Sequence, residues 1–399
     1  MSSYKKAIYV GSLGFPFGSA AAYRKFQISS ILNNIGYKVL VINRRGSHIH
    51  KYSSQENIKV YGSYNNINYF HTSLKSFRPN NFINRNIFKV IGYIVEFFTI
   101  AFQKFYFRCK IMICDSTKLN ELKYYYYLSR LFKIKFIYDY VEFVDSLSNR
   151  DAYSLYELNL SFDKHIDKYA DGFIVISSYL EHYLDGLNSN LKKTLIPPTI
   201  NFETIDNIQS QNEKNKYLLY CGSIGYLNAI NFIIQSYIDS ESMQNDVCLY
   251  LIINGNELQL KQLNEFIYAK HMNKWILVYS QISYDKLISF YKSAVALLIP
   301  LSNNIQDNAR FPFKIVEYLA SKRPIITTNI GIVKEYFIDN ETAFIATSVT
   351  PVSFTEKINI AINQIEFSNT IGLKGYNLGK SVFQNNLYNL SMQKLINSI

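Results

Sequence analysis

The sequence predicts an α/β protein built from two doubly wound, parallel-sheet domains, and three observations predict it. Lys6-Ala7-Ile8-Tyr9-Val10-Gly11 reads as a buried strand, and Gly14-Phe15-Pro16-Phe17-Gly18-Ser19-Ala20 follows as a glycine loop. A helix then runs to about Asn34 with Gly36 as its C-cap, and residues 38–43 form a second strand. This βαβ start implies a parallel sheet whose first loop lies at the ligand-binding edge. The same pattern restarts at Tyr217, after a polar stretch at 201–215 that holds four asparagines. We therefore expect a first domain at 1–200, a linker at 201–215, a second domain at 216–380, and a terminal helix at 381–399 that crosses back to the first domain.

The remaining elements follow in order. Residues 111–114 and 136–138 are short apolar runs of the kind that strands buried on both faces show. The second leads into Asp139-Tyr140-Val141-Glu142-Phe143 and then a helix at 152–169. Gly172-Phe173-Ile174-Val175-Ile176-Ser177-Ser178 is a strand ending in two serines, with a helix at 179–184, and Thr194 to Thr199 closes the domain. In the second domain residues 217–221 are a strand, Gly222-Ser223-Ile224-Gly225 its loop, and 229–239 a helix. Strands at 248–253, 276–279 and 294–299 follow. A helix after Pro312, a strand at 325, a helix at 331–337 and a strand at 342–346 complete the sheet. Helical stretches at 351–365 and 375–399 end the chain.

Composition bounds the class. The 399 residues are 48% hydrophobic and 18% charged, which suits ordered domains with sizeable cores. Tyr is abundant at 34 and Phe at 28, a bias that carries no binding conclusion. Cys109, Cys114, Cys221 and Cys248 lack metal-type spacing, and the six histidines form no HxxxH pair. With no signal peptide at the start, a reducing cytoplasm is the expected compartment.

Charge is uneven. Residues 1–150 carry 22 Lys and Arg against 7 Asp and Glu, and the remainder carries 20 against 23, so +15 and −3 make the net +12. This points either to an anionic membrane or other polyanion as partner of the first domain, or to dispersed solubilising charge. A nucleic-acid partner is not expected. No run of 18 uncharged apolar residues occurs, so no bilayer-spanning segment is expected. The nearest is 87–107, interrupted or flanked by Lys89, Glu96, Lys104 and Arg108. It reads as a buried helix or, alternatively, as a helix lying on a membrane surface, on the inner face of the plasma membrane.

The chemistry-bearing stretch is Arg310-Phe-Pro-Phe-Lys314-Ile-Val-Glu317-Tyr-Leu-Ala-Ser321. It reads as a helix opened by Pro312, with Ile315, Val316, Leu319 and Ala320 as its buried stripe. Lys314 and Glu317, three apart, are either a solvated surface pair or a working pair. In the second reading Glu317 accepts hydrogen bonds from two vicinal ribose hydroxyls, while Arg310 and Lys314 face a diphosphate.

This run resembles the nucleotide-sugar helix of the retaining GT-B glycosyltransferases of family 4, where a Glu-x7-Glu pattern ends in a ribose-binding glutamate. Glu317 stands at the second glutamate. Ala309 stands at the first, with Asp307 the nearest acidic group. Asp-Gly-Phe-Ile-Val-Ile-Ser at 171–177 is similar to the last strand of that family's first domain. The loop holding Gly14 and Gly18 is similar to its first loop, beside the diphosphate and the acceptor. The family's arginine after the glycine at 222 and its nearby lysine are Ser223 and Asn228 here.

The resemblance implies two Rossmann-like domains facing across a cleft, and donor contacts at Glu317, Gly222, Ser223, Gly14, Gly18, Asp307 and Gly331. Diphosphate charge then falls to Arg310, Lys314 and backbone N–H groups. With no Asp-x-Asp, metal independence and no cofactor beyond the nucleotide diphosphate sugar are expected. The leaving phosphate takes the acceptor's proton, so no strong protein base is needed. Glu142 and Asp139 are candidate acceptor-side groups, or buried carboxylates fixing a loop, and Arg24 and Arg44 either meet an anionic acceptor or are solvated at the surface. The implied function is hexosyl-type transfer to a glycan or lipid-linked polysaccharide precursor. The alternative is a glycosyltransferase-like scaffold with impaired catalysis. A two-Rossmann dehydrogenase is disfavoured, because no GxGxxG with a following acidic residue is present.

Overall fold

A computed structural model describes residues 4–11, 14–17, 20–46, 58–144, 162–210 and 213–399. The chain divides into two compact units. The first holds Met1–Pro198, Ala309–Phe311 and Asn385–Ile399, and the second holds Thr199–Asn308 and Pro312–Gln384.

The first unit is built on an eight-stranded sheet. Its strands are β1 (Lys5–Val10), β2 (Tyr37–Asn43), β3 (Tyr61–Tyr64), β4 (Ile67–His71), β5 (Ile111–Cys114), β6 (Lys135–Tyr140), β7 (Gly172–Val175) and β8 (Lys193–Leu195). Their spatial order is β3-β4-β2-β1-β5-β6-β7-β8. All pairs are parallel except the β3–β4 hairpin, which turns on Asn65 and Asn66, both at left-handed φ (46° and 64°). A tight hairpin turn of this hand needs positive φ at both central residues, and asparagine tolerates it. The inner strands are buried on both faces, which is why they read as unbroken apolar runs.

Helices α1 (Ala20–Asn34), α2 (Phe82–Phe105), α3 (Leu119–Leu131), a short α4 (Phe162–His165) and α5 (Ser178–Leu187) belong to this unit. So does the last helix of the chain, whose Met392, Leu395 and Ile396 join Ala7, Ile28, Ile31 and Val39 in one apolar core.

Two arginines expected at the surface are buried instead, because each has found a carboxylate far along the chain. Arg24 on α1 grips Asp139 on β6 through Nη2 and Nε, at 2.9 and 3.0 Å, and also donates to the Ile196 carbonyl at 2.8 Å. Tyr9 Oη donates to the same Asp139 at 2.6 Å. Arg44 lies 3.3 Å from Glu96 on α2 and 3.6 Å from Glu121 on α3. Burial of such groups is tolerated where every charge is paired.

Helix α2 departs furthest from the buried-helix expectation. Its N-terminus is capped by the Asn81 side chain, which accepts from Ile83 and Asn84 N–H. Only Gly92, Glu96 and Ile100 are buried. By length and composition α2 could cross a membrane, although Arg85, Lys89, Glu96 and Lys104 interrupt it.

The second unit carries a six-stranded parallel sheet. Its strands are β9 (Lys216–Ser223), β10 (Val247–Asn254), β11 (Ile276–Tyr279), β12 (Ala296–Ile299), β13 (Ile325–Thr328) and β14 (Phe344–Ala346), in the order β11-β10-β9-β12-β13-β14. Counted within the unit this is 3-2-1-4-5-6, the doubly wound order. The helices are α6 (Phe202–Asp206), α7 (Leu227–Ile238), α8 (Glu257–Ala269), α9 (Tyr284–Ser293), α10 (Ile305–Ala309), α11 (Lys314–Ala320), α12 (Val333–Tyr336), α13 (Pro351–Asn363) and α14 (Ile365–Val382). The final helix of the first unit, α15, is Asn389–Ser398.

Residues expected as linker are part of this second unit. Phe202 stacks edge-on against Tyr376, and Phe202 N–H donates to Gln384 Oε1 at 3.3 Å. The C-terminal stretch expected as one helix from 375 is two, α14 and α15, separated around the buried Phe383.

Candidate functional site

In an open parallel sheet, ligands bind outside the carboxyl ends of the strands, where the strand order reverses. In the second unit that point lies between β9 and β12. Here β12 pairs with β9 only as far as Tyr220. The next residue, Cys221, has an open backbone edge on that side, and α11 closes it. Cys221 N–H donates to Tyr318 Oη at 3.1 Å, and Lys314 Nζ donates to the Cys221 carbonyl at 2.6 Å. Lys314 and Tyr318 are four apart and share one helix face, so a single face of α11 seats on the end of β9. The Lys314 ammonium is thereby fixed beside Gly222 and Ser223.

Pro312 lies outside α11 rather than opening it. Phe313 is the N-cap, and the first turn is held by Ile315 N–H to the Pro312 carbonyl and Val316 N–H to the Phe313 carbonyl, both at 3.1 Å. The strand-to-helix turn after β9 is short. Ser223, exposed, caps a single turn by accepting from Gly225 N–H at 3.3 Å, and α7 then begins without a side-chain cap. The N–H groups at the start of a helix suit an anion.

Glu317, one turn from Lys314, is buried, with 4% of its surface exposed. Burial pushes its carboxyl up to about 7, against the opposing pull of a hydrogen bond from Tyr284 and the charge of Lys314. A carboxylate held near neutrality beside a cation, at a switch point, is the pattern of a ligand site. Tyr284, at the start of α9, and Tyr318 were not singled out from the sequence. The signal for Tyr318 was its i+4 spacing from Lys314; Tyr284 had none.

The neighbouring loops are knitted together. Leu301 N–H donates to Thr328 Oγ1 at 2.8 Å, and Thr328 Oγ1 donates to the Leu301 carbonyl at 2.6 Å, tying the ends of β12 and β13. Asp307 was named from the sequence as a donor contact. It is buried, its Oδ2 accepts from Ser302 N–H at 2.7 Å, and its own N–H donates to Asn304 Oδ1 at 2.7 Å. It braces its own turn. Gly331 sits at φ +55°, and a Cβ there would lie 2.5 Å from the Asp307 carbonyl oxygen, so only glycine permits this approach of two backbones.

The other expected residues lie elsewhere. Arg310 is half-buried within Ala309–Phe311, which groups with the first unit. Glu142 is half-buried just beyond β6, and Asp139 is committed to Arg24 and Tyr9. Gly14 is described, at φ +109°, and Gly18 lies outside the described residues. At the first sheet's own switch point, between β1 and β5, Gly11 adopts φ +110°, and a Cβ there would lie 2.5 Å from Asp115 Oδ1.

Comparison with known proteins bears on the fold and on the second unit. Residues 201–378 match the family model for glycosyl transferases group 1. An uncharacterized glycosyltransferase of Methanocaldococcus jannaschii is 24% identical over 219 residues, a match that spans 55% of this chain and 57% of that protein's length. Sucrose-phosphate synthase from Thermosynechococcus elongatus superposes with a TM-score of 0.77 at 15% identity, covering 99% of this chain and 98% of that one. HepE of Anabaena, solved in complex with UDP-glucose, gives a TM-score of 0.72 at 12% identity, covering 99% and 100%. At such identities the structures establish the fold alone. The chain has the GT-B fold, and its second unit carries the glycosyl transferases group 1 match.

Proposed function

We propose that this protein is a retaining glycosyltransferase of the family 4 type, moving a hexose from a nucleoside diphosphate sugar to a glycan or a lipid-linked polysaccharide precursor. The observation that carries the reading is the pair Lys314 and Glu317 at the switch point of the second sheet. One supplies a cation for a diphosphate and the other a carboxylate for ribose hydroxyls. The bond between the anomeric carbon and the diphosphate oxygen breaks. The acceptor oxygen bonds to that carbon on the same face, and its proton passes to the leaving diphosphate. The protein's task is to stabilise charge on that diphosphate. The four cysteines are free and buried, which supports a reducing, cytoplasmic setting.

Thermal shift against nucleoside diphosphates and their sugars tests the donor, starting with UDP-glucose because the similar HepE was solved with it. Ligand at 100 times its dissociation constant adds about 2.7 kcal/mol of stability. A flat response across the panel would remove the reading. Donor binding without turnover would leave a binding protein instead.

We also propose that transfer needs no divalent metal, because Lys314 and the backbone N–H groups after β9 can carry the phosphate charge. Turnover is expected to survive EDTA. Loss on chelation and recovery with magnesium or manganese would refute this.

A further inference from the structure

Helix α2 is turned the unexpected way round. Ile87, Val90, Ile94, Phe98, Phe102 and Phe105 recur three or four residues apart and share one face. That face points away from the unit: these six side chains are 50% to 74% exposed. The opposite face is anchored. A Cβ on Gly92 would lie 2.5 Å from the Arg44 carbonyl, so helix and loop are in backbone contact. Glu96 Oε1 accepts from Tyr125 Oη at 2.8 Å, and Tyr125 Oη accepts in turn from Arg44 Nη2 at 2.8 Å. Lifting α2 off the sheet would strip Glu96 and Arg44 of their partners, so the helix stays flat on the domain rather than inserting across a bilayer. At 1.5 Å per residue, its 24 residues present an apolar ridge about 36 Å long. An unbroken apolar strip of this extent marks an interaction surface.

The charge around the ridge says what covers it. Residues 75–110 hold seven Lys and Arg, and their one acidic residue is the buried Glu96. Lys75, Lys89, Arg108 and Lys110 are exposed. A second copy of the chain would bring the same positive charge to the ridge. We propose that the outward face of α2, with its bordering basic residues, docks on an anionic lipid bilayer, the helix lying in the plane of the headgroups. This does not depend on the donor chemistry.

The full chain is sedimented with vesicles of phosphatidylglycerol and phosphatidylcholine in equal parts, and with pure phosphatidylcholine. It is expected to pellet with the first at low salt, and added salt is expected to release it. Arg108→Gln should weaken partitioning by about fivefold. The triple variant Val90→Asp, Ile94→Asp, Phe98→Asp should lose at least about tenfold while its Tm stays near the parent's, since all three sites are exposed. A Phe98→Trp variant should show blue-shifted emission with anionic vesicles only. A parent chain that stays in the supernatant with phosphatidylglycerol at low salt overturns the proposal. So does a triple variant that pellets normally, or one that merely converts a dimer to a monomer in sedimentation velocity without any lipid effect.

Discussion

Glu317→Gln is expected to weaken nucleoside diphosphate sugar binding by about 10- to 150-fold while making the unliganded protein more stable above neutral pH. The two effects have one cause. Burial raises the folded-state carboxyl to about 7, whereas in the unfolded chain it titrates near 4.3. Between those values the folded protein holds a proton that the unfolded chain has released, so stability falls as pH rises through this window. Below it the wild type suffers nothing from Glu317; above it the cost is complete, on the order of 1–3 kcal/mol. Glutamine keeps the size and removes the charge, so the Tm difference should be near zero at pH 4 and favour the variant at pH 8. In the complex the carboxylate is the stronger acceptor for ribose hydroxyls, and its loss removes about 1.5–3 kcal/mol. Wild-type affinity should therefore climb between pH 6 and 8 while the variant's stays level. Calorimetric titration at both pH values measures it. Equal affinities in a folded variant would take Glu317 out of the donor site.

Much of the fold was legible because parallel sheets bury both faces of their strands. β1, β2, β9 and β10 show this as uninterrupted apolar runs, and the glycine turns between them announce the crossovers. The β3–β4 hairpin was not legible. Its turn is Asn65-Asn66 without glycine, and its four- and five-residue strands alternate weakly. The terminal break between α14 and α15 was missed for a different reason. Residues 375–399 contain no proline to stop a helix, and the interruption follows from tertiary burial of Phe383.

The site was half legible for the same physical reason. Lys314 and Glu317 declare themselves by spacing within one helix. Their partners, Cys221 and Tyr284, come from other elements of the sheet, and only the folded chain brings them together. The burial of Arg24 and Arg44 likewise depends on carboxylates more than 50 residues away. For α2 the sequence shows amphipathic periodicity in apolar residues all round, which cannot say which face is inside. A glycine and a paired glutamate decide that, and they turn the larger side chains outward.

Lys314→Ala is expected to lower kcat by about 10²- to 10³-fold with a much smaller change in KM. Negative charge on the diphosphate grows as the sugar–phosphate bond breaks, so a fixed cation helps the transition state more than the bound donor. The lysine also has a structural duty, since Nζ bonds the Cys221 carbonyl at 2.6 Å. Deleting it leaves that carbonyl short of a partner, at a cost of about 1 kcal/mol in stability. The two duties separate by variant. Lys314→Met keeps the stem without the charge and should be as slow as Lys314→Ala. Lys314→Arg keeps the charge but exchanges a point cation for a wide planar fork, so it should recover turnover only in part. Arg310→Ala, made in parallel, tests the other cation named from the sequence. If the lysine merely braced β9, kcat losses would track the loss of Tm, and the stem-preserving methionine would restore part of both. If Lys314→Ala and Arg310→Ala each turn over near the wild-type rate, the diphosphate charge is met by other groups, and the backbone N–H donors at the start of α7 become the next place to look.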